Sequence, residues 1–277
     1  MSGKISTVKL KEMKHRKEKI TVLTCYDYSM AKILDSAGIE VLLVGDSLGN
    51  VMLGYDSTIP VTMDDMITYT KAVSRGTKNA LVVGDMPFLS YHISTAESVK
   101  NAGRFLQEAG ANAVKLEGGR EVTSTIQAIN AAGIPVMGHL GLTPQSVNKL
   151  GGFKVQGKDE AAARLILNDA LALQDAGVFA VVLECVPAPL AKLISERLEI
   201  PTIGIGAGVN CDGQVLVIHD ILGLYSDLAP KFAKRYASLH EAIEEALAGY
   251  KADVKSGAFP APEHSFGLDE KEISKLY

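Results

Sequence analysis

Residues 109–119, AGANAVKLEGG, contain in order a helix end, a short apolar strand and a charged side chain. An Ala-Gly pair is typical of a helix end, because glycine adopts the left-handed conformation found there at little cost. The apolar run that follows is interrupted by Lys115 and ends at Glu117. This stretch therefore predicts one helix-to-strand step of an α/β protein.

The same pattern recurs along the chain. Ala-Gly pairs also stand at 37–38, 132–133 and 176–177. Runs rich in Val, Ile and Leu lie at 20–27, 41–46, 80–87, 112–119, 134–141, 179–185, 200–208 and 215–220. Most of these runs lack polar alternation, which is typical of parallel strands that are covered on both faces.

Helical segments separate the apolar runs. We predict helices over 27–37, 62–75, 94–109 and 159–176, each with a polar cap in front and Ala-Gly or Gly behind. The pairs Thr62/Asp65 and Ser94/Glu97 have the spacing of a capping box, in which each residue satisfies an N–H group of the first turn.

Eight strands that alternate with helices predict a (β/α)₈ TIM barrel, an α/β fold. A doubly wound open sheet shares this alternation, but no GxGxxG follows the first run to indicate a dinucleotide fold. We expect one barrel domain over 1–277, with an N-terminal helical extension and a C-terminal tail that begins with a helix at about 235–255.

Composition excludes several classes of protein. The net charge is −4 and no basic stripe dominates, so we expect no nucleic-acid partner; the basic cluster at 11–19 is interpreted as a solvated helix. Three cysteines without CxxC spacing argue against a disulfide framework or structural zinc. No apolar run reaches the roughly 18 residues of a membrane span, and we expect a soluble cytoplasmic protein with no membrane partner.

Five consecutive strands each end in an ionisable residue. The strand ends of a barrel meet at one face, where active sites lie, so these side chains should converge. A lone charge there is usually a cap or turn residue, but a whole set of buried charges requires pairing or a metal. The residues are Asp46 (followed by Ser47), Asp85, Lys115 with Glu117, His139 and Glu184.

These residue types favour metal-assisted chemistry on an oxo acid. Asp46, Asp85 and Glu117 offer the oxygen ligands that Mg²⁺ or Mn²⁺ prefers. Such a metal chelates a 2-oxo acid and stabilises negative charge on its keto oxygen, to which Lys115 adds positive charge. Glu184 is a candidate general base for the adjacent C–H. The long Gly-rich segment 140–158 is a predicted lid.

Several segments closely resemble the ketopantoate hydroxymethyltransferase family over about residues 19–266. They include TCYDYSMAKILDSAGIEVLLVGDSLG (24–49), GYDSTIPVTMDDM (54–66), VKLEGG (114–119), GHLGLTPQSVNKLGGFKVQG (138–157), LECVP (183–187), IGIGAG (203–208) and CDGQVLVIHD (211–220). The resemblance implies a barrel of the phosphoenolpyruvate/pyruvate superfamily. It implies transfer of a hydroxymethyl group from 5,10-methylenetetrahydrofolate to 3-methyl-2-oxobutanoate through a Mg²⁺-chelated enolate, giving 2-dehydropantoate for pantothenate and coenzyme A synthesis.

The resemblance also implies roles for single residues. It makes Asp46 and Asp85 direct ligands of Mg²⁺, with Glu117 in the same site, and Glu184 the proton acceptor. Family members are homo-oligomers, often decamers, and the same is expected here. The substrate contacts that it implies are Asp46, Ser47, Asp85, Lys115 and His139.

Two other functions fit the same fold. A carbon–carbon lyase or mutase of the superfamily typically carries a catalytic cysteine on a mobile loop, and neither 118–133 nor 140–158 contains a cysteine. A non-catalytic barrel that binds metabolites has little need of a metal site together with a separate carboxylate.

Overall fold

In the computed structural model, which describes residues 3–152, 154–224 and 230–277, eight parallel strands close into a barrel in chain order. The closure is direct, because Val22 of the first strand lies opposite Val41 on one side and Val215 on the other. The predicted barrel is therefore confirmed, and the alternative of a doubly wound open sheet is excluded. The strands are β1 Ile20–Thr24, β2 Val41–Val44, β3 Leu81–Asp85, β4 Ala113–Glu117, β5 Val136–Gly141, β6 Ala180–Glu184, β7 Thr202–Ile205 and β8 Gly213–Leu216.

Alternate strand residues form two separate cores. One core fills the barrel and includes Val83, Ala113 and Val182, whereas the other lies between the barrel and its helices and includes Val82 and Val114. Successive side chains of a strand point to opposite faces, so parity along the strand decides which core a residue joins. Both faces of β2 to β7 are buried, or half-buried at the last residue of β5 and β6, which explains why these strands read as continuous apolar runs.

The helices that surround the barrel begin at polar caps, as predicted. Asp27 and Asp159 accept hydrogen bonds from Met30 N and Ala162 N, and Thr62 forms a complete capping box with Asp65. The helices are α1 Thr7–His15, α2 Tyr28–Ser36, α3 Leu48–Val51, α4 Met63–Gly76, α5 Thr95–Gln107, α6 Thr123–Ala131, α7 Val147–Leu150, α8 Glu160–Asp175, α9 Ala188–Arg197, α10 Ile218–Leu222, α11 Leu239–Ser256 and α12 Glu270–Ile273.

Two details of the sequence prediction were wrong. The run 215–220 is not one strand, because β8 ends at Leu216 and α10 begins at Ile218. Thr24 Oγ1 accepts a hydrogen bond from Ile218 N, which satisfies an N–H group at the start of α10. At α5, the Ser94 side chain accepts from Glu97 N, but the return bond of the predicted capping box is not formed.

The helices near the two ends of the chain differ in how far their side chains are buried. Helix α1 covers the N-terminal end of the barrel and buries Leu10 and Met13 in the interior core, so only its outer face is solvated. Helix α11, close to the predicted 235–255, buries none of its residues. Within the described parts of the chain, no helix is both long and apolar enough to cross a membrane.

Candidate active site

The ionisable residues at the ends of β3 to β6 point into the barrel because they share parity with its interior core. Lys115 and Glu117 follow Ala113 at steps of two, and Glu184 likewise follows Val182. The position of each residue along its strand therefore brings these side chains together at one end of the barrel. Five of them are at most 4% exposed, namely Asp46, Asp85, Lys115, Glu117 and His139.

Lys115 lies at the centre of this cluster. Its Nζ is 2.8 Å from Asp85 Oδ1, 3.3 Å from His139 Nδ1 and 3.8 Å from Glu117 Oε1. Burial lowers the pKa of Lys115, but the carboxylates of Asp85, Glu117 and Asp46 outweigh burial and raise that pKa above its usual range. Lys115 is therefore a buried, permanently charged ammonium group.

His139 connects two carboxylates. Its Nδ1 is 3.3 Å from Glu117 Oε1, and its Nε2 is 3.2 Å from Glu184 Oε2. Burial and the charge of Lys115 lower the pKa of His139, but the two carboxylates outweigh them and raise it to about 9. The ring thus faces a carboxylate on each side, and these two carboxylates favour its protonated form at neutral pH.

Burial and mutual repulsion raise the pKa values of the carboxylates of Asp46 and Asp85, on the other side of the cluster. Asp46 N donates a hydrogen bond to Asp85 Oδ2 at 3.2 Å, which holds the two residues together. Burial, followed by the charges of Asp85 and Glu117, raises the pKa of Asp46 well above its usual value. The pKa of Asp85 is also raised, with burial the largest cause. A cation at this position would lower the free energy of the charged forms.

The donor set fits a magnesium ion. Among the described residues, the buried oxygens Asp85 Oδ1 and Glu117 Oε1 accept no hydrogen bond of good geometry, although Lys115 Nζ is close to both. No group of three or more His, Cys, Asp or Glu side chains in the described ranges encloses a ready-made metal site. Mg²⁺ usually takes one or two carboxylates and completes its shell with water and substrate oxygens, so it needs fewer protein ligands than such a group supplies.

A sequence model described as ketopantoate hydroxymethyltransferase matches residues 4–262. The chain belongs to this family. It is 60% identical over 275 residues to the 3-methyl-2-oxobutanoate hydroxymethyltransferase of Syntrophomonas wolfei, covering 99% of this chain and 100% of that protein. It is 61% identical over 263 residues to the enzyme of the same name from Syntrophus aciditrophicus, covering 95% of this chain and 97% of that protein.

Solved structures of other proteins share the barrel fold of this chain. Phosphonopyruvate hydrolase in complex with oxalate and Mg²⁺ aligns with a TM-score of 0.61 at 11% identity, over 98% of this chain and 97% of that one. The 2,3-dimethylmalate lyase, a member of the PEP mutase/isocitrate lyase superfamily, aligns with a TM-score of 0.58 at 15% identity, over 98% of both chains. At these identities the likeness shows the fold alone and lends no support to lyase or mutase activity.

Two of the predicted site residues of this family member lie at the edge of the cluster. Glu184 contacts His139 and is the most exposed of the ionisable residues, at 15% of its side chain. Ser47 is half-buried, and its Oγ lies 2.8 Å from the hydroxyl of Tyr26. Among the described residues, no hydrogen bond joins Ser47 to the five buried charged residues.

Gln145 is a central residue of the site that the sequence did not reveal. It is buried, and its Nε2 donates to Asp46 Oδ2 at 2.9 Å and to Met86 O at 3.0 Å. Its Oε1 accepts from the Tyr91 hydroxyl at 2.7 Å, and its backbone N donates to Glu117 Oε2 at 3.1 Å. Gln145 is neutral, so a search for ionisable residues at strand ends does not find it. Its position shortly after the fifth strand is the signal that could have identified it.

Hydrogen bonds hold the segment 140–158, the predicted lid, against the site. Gln145 enters the cluster, and Leu142 N donates to Glu184 O at 2.8 Å. Gly141 has φ +95°, and a Cβ there would overlap the carbonyl oxygen of Glu184, so glycine is required where this segment leaves β5. Phe153 of this segment lies outside the described residues.

Proposed function

We propose that this chain transfers a hydroxymethyl group from 5,10-methylenetetrahydrofolate to 3-methyl-2-oxobutanoate, giving 2-dehydropantoate for pantothenate synthesis. Family membership supports the reaction, since relatives at 60–61% identity bear the name of this activity. The structural observation that carries the proposal is the buried cluster at the ends of β3 to β6. It combines the Lys115 ammonium group, the buried carboxylates of Asp46, Asp85 and Glu117, and a separate, more exposed carboxylate on Glu184.

Asp46 and Asp85, with Glu117 beside them, are the residues that would hold Mg²⁺. The bound ion supplies Lewis-acid stabilisation of negative charge on the keto oxygen of the substrate. Lys115 is charged and buried in the same place, so it contributes positive charge there in a medium of low dielectric constant. Gln145 keeps the Asp46 carboxylate oriented through its amide N–H group.

Glu184 is the proposed base that removes the proton from C3 of the oxo acid. Protonated His139 lies between Glu117 and Glu184, which holds the Glu184 carboxylate at the edge of the buried cluster. The electron pair of the C3–H bond becomes the C2=C3 bond of the enolate. C3 then bonds to the methylene carbon, whose bonds to the carrier nitrogens break, and one water supplies the hydroxyl oxygen of the product.

The proposed substrate contacts, which the family resemblance implies, are Asp46, Ser47, Asp85, Lys115 and His139. A cytoplasmic location, expected from the composition, stays a prediction. A homo-oligomer such as a decamer, implied by the family resemblance, also stays a prediction.

The proposal is tested by product formation. Purified protein is incubated with 3-methyl-2-oxobutanoate, 5,10-methylenetetrahydrofolate and either Mg²⁺ or EDTA, and 2-dehydropantoate is measured by mass spectrometry. We expect product with Mg²⁺ and a large loss of product with EDTA. Absence of product under both conditions from folded protein would overturn the proposal.

A further inference from the structure

A cavity of about 250 Å³ opens beside the buried cluster, between α8 and the segments that follow β3, β4 and β5. Glu117, Gln145 and Tyr91 belong to both the cluster and the cavity lining, so the two spaces adjoin. Apolar side chains line two walls of the cavity, among them Phe88, Leu140 and Ile166.

Asp169 is an acidic group in this cavity that the buried cluster does not use. It projects from α8, and its side chain is 14% exposed. Its charged neighbour is Arg120, whose Nε lies 3.3 Å from Asp169 Oδ1 and whose side chain is 57% exposed. Burial raises the pKa of Asp169, which shows that this pairing compensates its charge incompletely. Glycine at 119 keeps the carboxylate in place, because a Cβ there would lie 2.5 Å from Asp169 Oδ2.

The charge at the mouth of the cavity has the opposite sign. Residues 140–158 contain Lys149, Lys154 and Lys158 but no Asp or Glu. All three lysines are exposed, and Lys149 lines the cavity. The cavity lining carries the carboxylates of Glu117, Asp169 and Glu121, of which Glu117 is buried and Glu121 is exposed. A complementary ligand therefore has a head group rich in N–H donors and a tail with negative charge.

The proposed one-carbon carrier has both features. Its reduced pterin head is a compact fused ring with adjacent N–H groups on one edge, and its tail ends in carboxylates. Pockets for drug-sized ligands occupy roughly 300–1,000 Å³, so the smaller cavity here suits one fused ring and leaves the tail outside. An anionic head group such as a phosphate would be repelled by the three carboxylates.

We propose that this cavity binds the pterin head of the carrier, with the Asp169 carboxylate accepting hydrogen bonds from its N–H edge and Lys149 near its anionic tail. The proposal rests on the proposed function. It places the carrier beside Glu117 and Gln145, next to the space proposed for the oxo acid.

The test measures binding of two fragments by isothermal titration calorimetry to the full-length protein with Mg²⁺ present. The fragments are 6-methyltetrahydropterin, which represents the head, and p-aminobenzoylglutamate, which represents the tail. Asp169→Asn keeps the shape but removes the charge, and Ala162→Phe adds bulk to the cavity from the first turn of α8. Asp175→Asn makes the same chemical change at an exposed position near the end of α8, and is the matched control.

We expect 6-methyltetrahydropterin to bind the wild type and to bind Asp169→Asn roughly 10- to 100-fold more weakly, as for loss of a hydrogen bond to a charged group. Ala162→Phe should bind it no more tightly than Asp169→Asn, and Asp175→Asn should bind it like the wild type. Circular dichroism confirms that each variant is folded. The KM for the whole carrier should rise in parallel.

Two results would overturn this inference. One is equal pterin affinity in the wild type and both cavity variants. The other is a wild-type protein that forms product but does not bind the pterin fragment. Failure of the proposed function itself is distinguishable, because the wild type would then form no product whatever its affinity for the pterin.

Discussion

Replacement of Gln145 by leucine should destabilise the protein through the partners that it leaves behind. Leucine has a similar volume and no hydrogen-bonding group. The substitution would leave the Asp46 carboxylate, the Met86 carbonyl and the Tyr91 hydroxyl without their present partner in a buried site. Loss of a hydrogen bond to a charged group costs about 1.5–3 kcal/mol and a neutral one about 1 kcal/mol, so we expect roughly 3–5 kcal/mol in total.

The assay is equilibrium unfolding in urea, followed by circular dichroism in EDTA so that bound metal does not contribute. Gln107→Leu is the matched control, because Gln107 is exposed at the end of α5 and a surface change should stay within about 0.5 kcal/mol. The slope with urea should not change, since the same surface is exposed on unfolding. A loss below about 1 kcal/mol with an unchanged slope would refute the role of Gln145 as a buried hydrogen-bonding centre.

A second readout separates positioning of Asp46 from stability alone. Partners of metal ligands typically contribute 10- to 100-fold to metal affinity, so the Mg²⁺ concentration that stabilises Gln145→Leu should rise by roughly that factor. The measurement is a titration of the thermal midpoint with Mg²⁺. A wild-type Mg²⁺ affinity in the destabilised variant would show that Gln145 does not orient the metal ligand.

Three further predictions concern other parts of the chain. Burial raises the pKa of Asp35, but hydrogen bonds from N–H groups such as that of Ala80 outweigh burial and hold the pKa below its usual range. Asp35→Asn should therefore lower the free energy of unfolding by about 1.5–3 kcal/mol at neutral pH. In urea titrations this difference from the wild type should shrink as the pH falls below about 4, where the wild-type carboxylate becomes protonated. A methyl group at Gly84 would overlap the Phe105 ring, so Gly84→Ala should lower the free energy of unfolding by about 1–3 kcal/mol. The matched Gly103→Ala, with open space around its Cβ, should raise it by about 0.5–1 kcal/mol in the same unfolding assay. An unchanged free energy of unfolding in Gly84→Ala would contradict this packing. Saturating Mg²⁺ should raise the thermal midpoint and EDTA should reverse the rise, because only the folded cluster binds the ion; an unchanged midpoint would argue against a magnesium site.

Much of the fold was predictable because strand and helix signals are local. Thr62, Asp27 and Asp159 cap helices where the sequence indicated, and the apolar runs became the barrel strands. The prediction of one strand over the eighth run, VLVIHD (215–220), was wrong because this run contains no turn signal that marks the end of the strand. The contact from Thr24, nearly two hundred residues earlier, is long-range information that a local pattern does not contain.

The site was predictable to the extent that it is made of charged residues at strand ends. Parity along β4 points Lys115 and Glu117 into the barrel, so their meeting with His139 follows from the fold. Gln145 and Tyr91 reach the cluster from irregular segments, whose course depends on the assembled barrel. The extent of a single domain over 1–277 stays a prediction.

Hydrogen–deuterium exchange at C3 of 3-methyl-2-oxobutanoate tests the central claim most directly. The reaction is followed by proton NMR in D₂O with Mg²⁺ and tetrahydrofolate, which occupies the carrier site without supplying the methylene group. We predict that the wild type removes the C3 proton signal only when Mg²⁺ is present. Glu184→Gln should still bind the oxo acid but leave this signal unchanged. Exchange by Glu184→Gln at the wild-type rate, or no exchange by the wild type, would contradict the assignment of Glu184 as the base beside a metal-bound oxo acid.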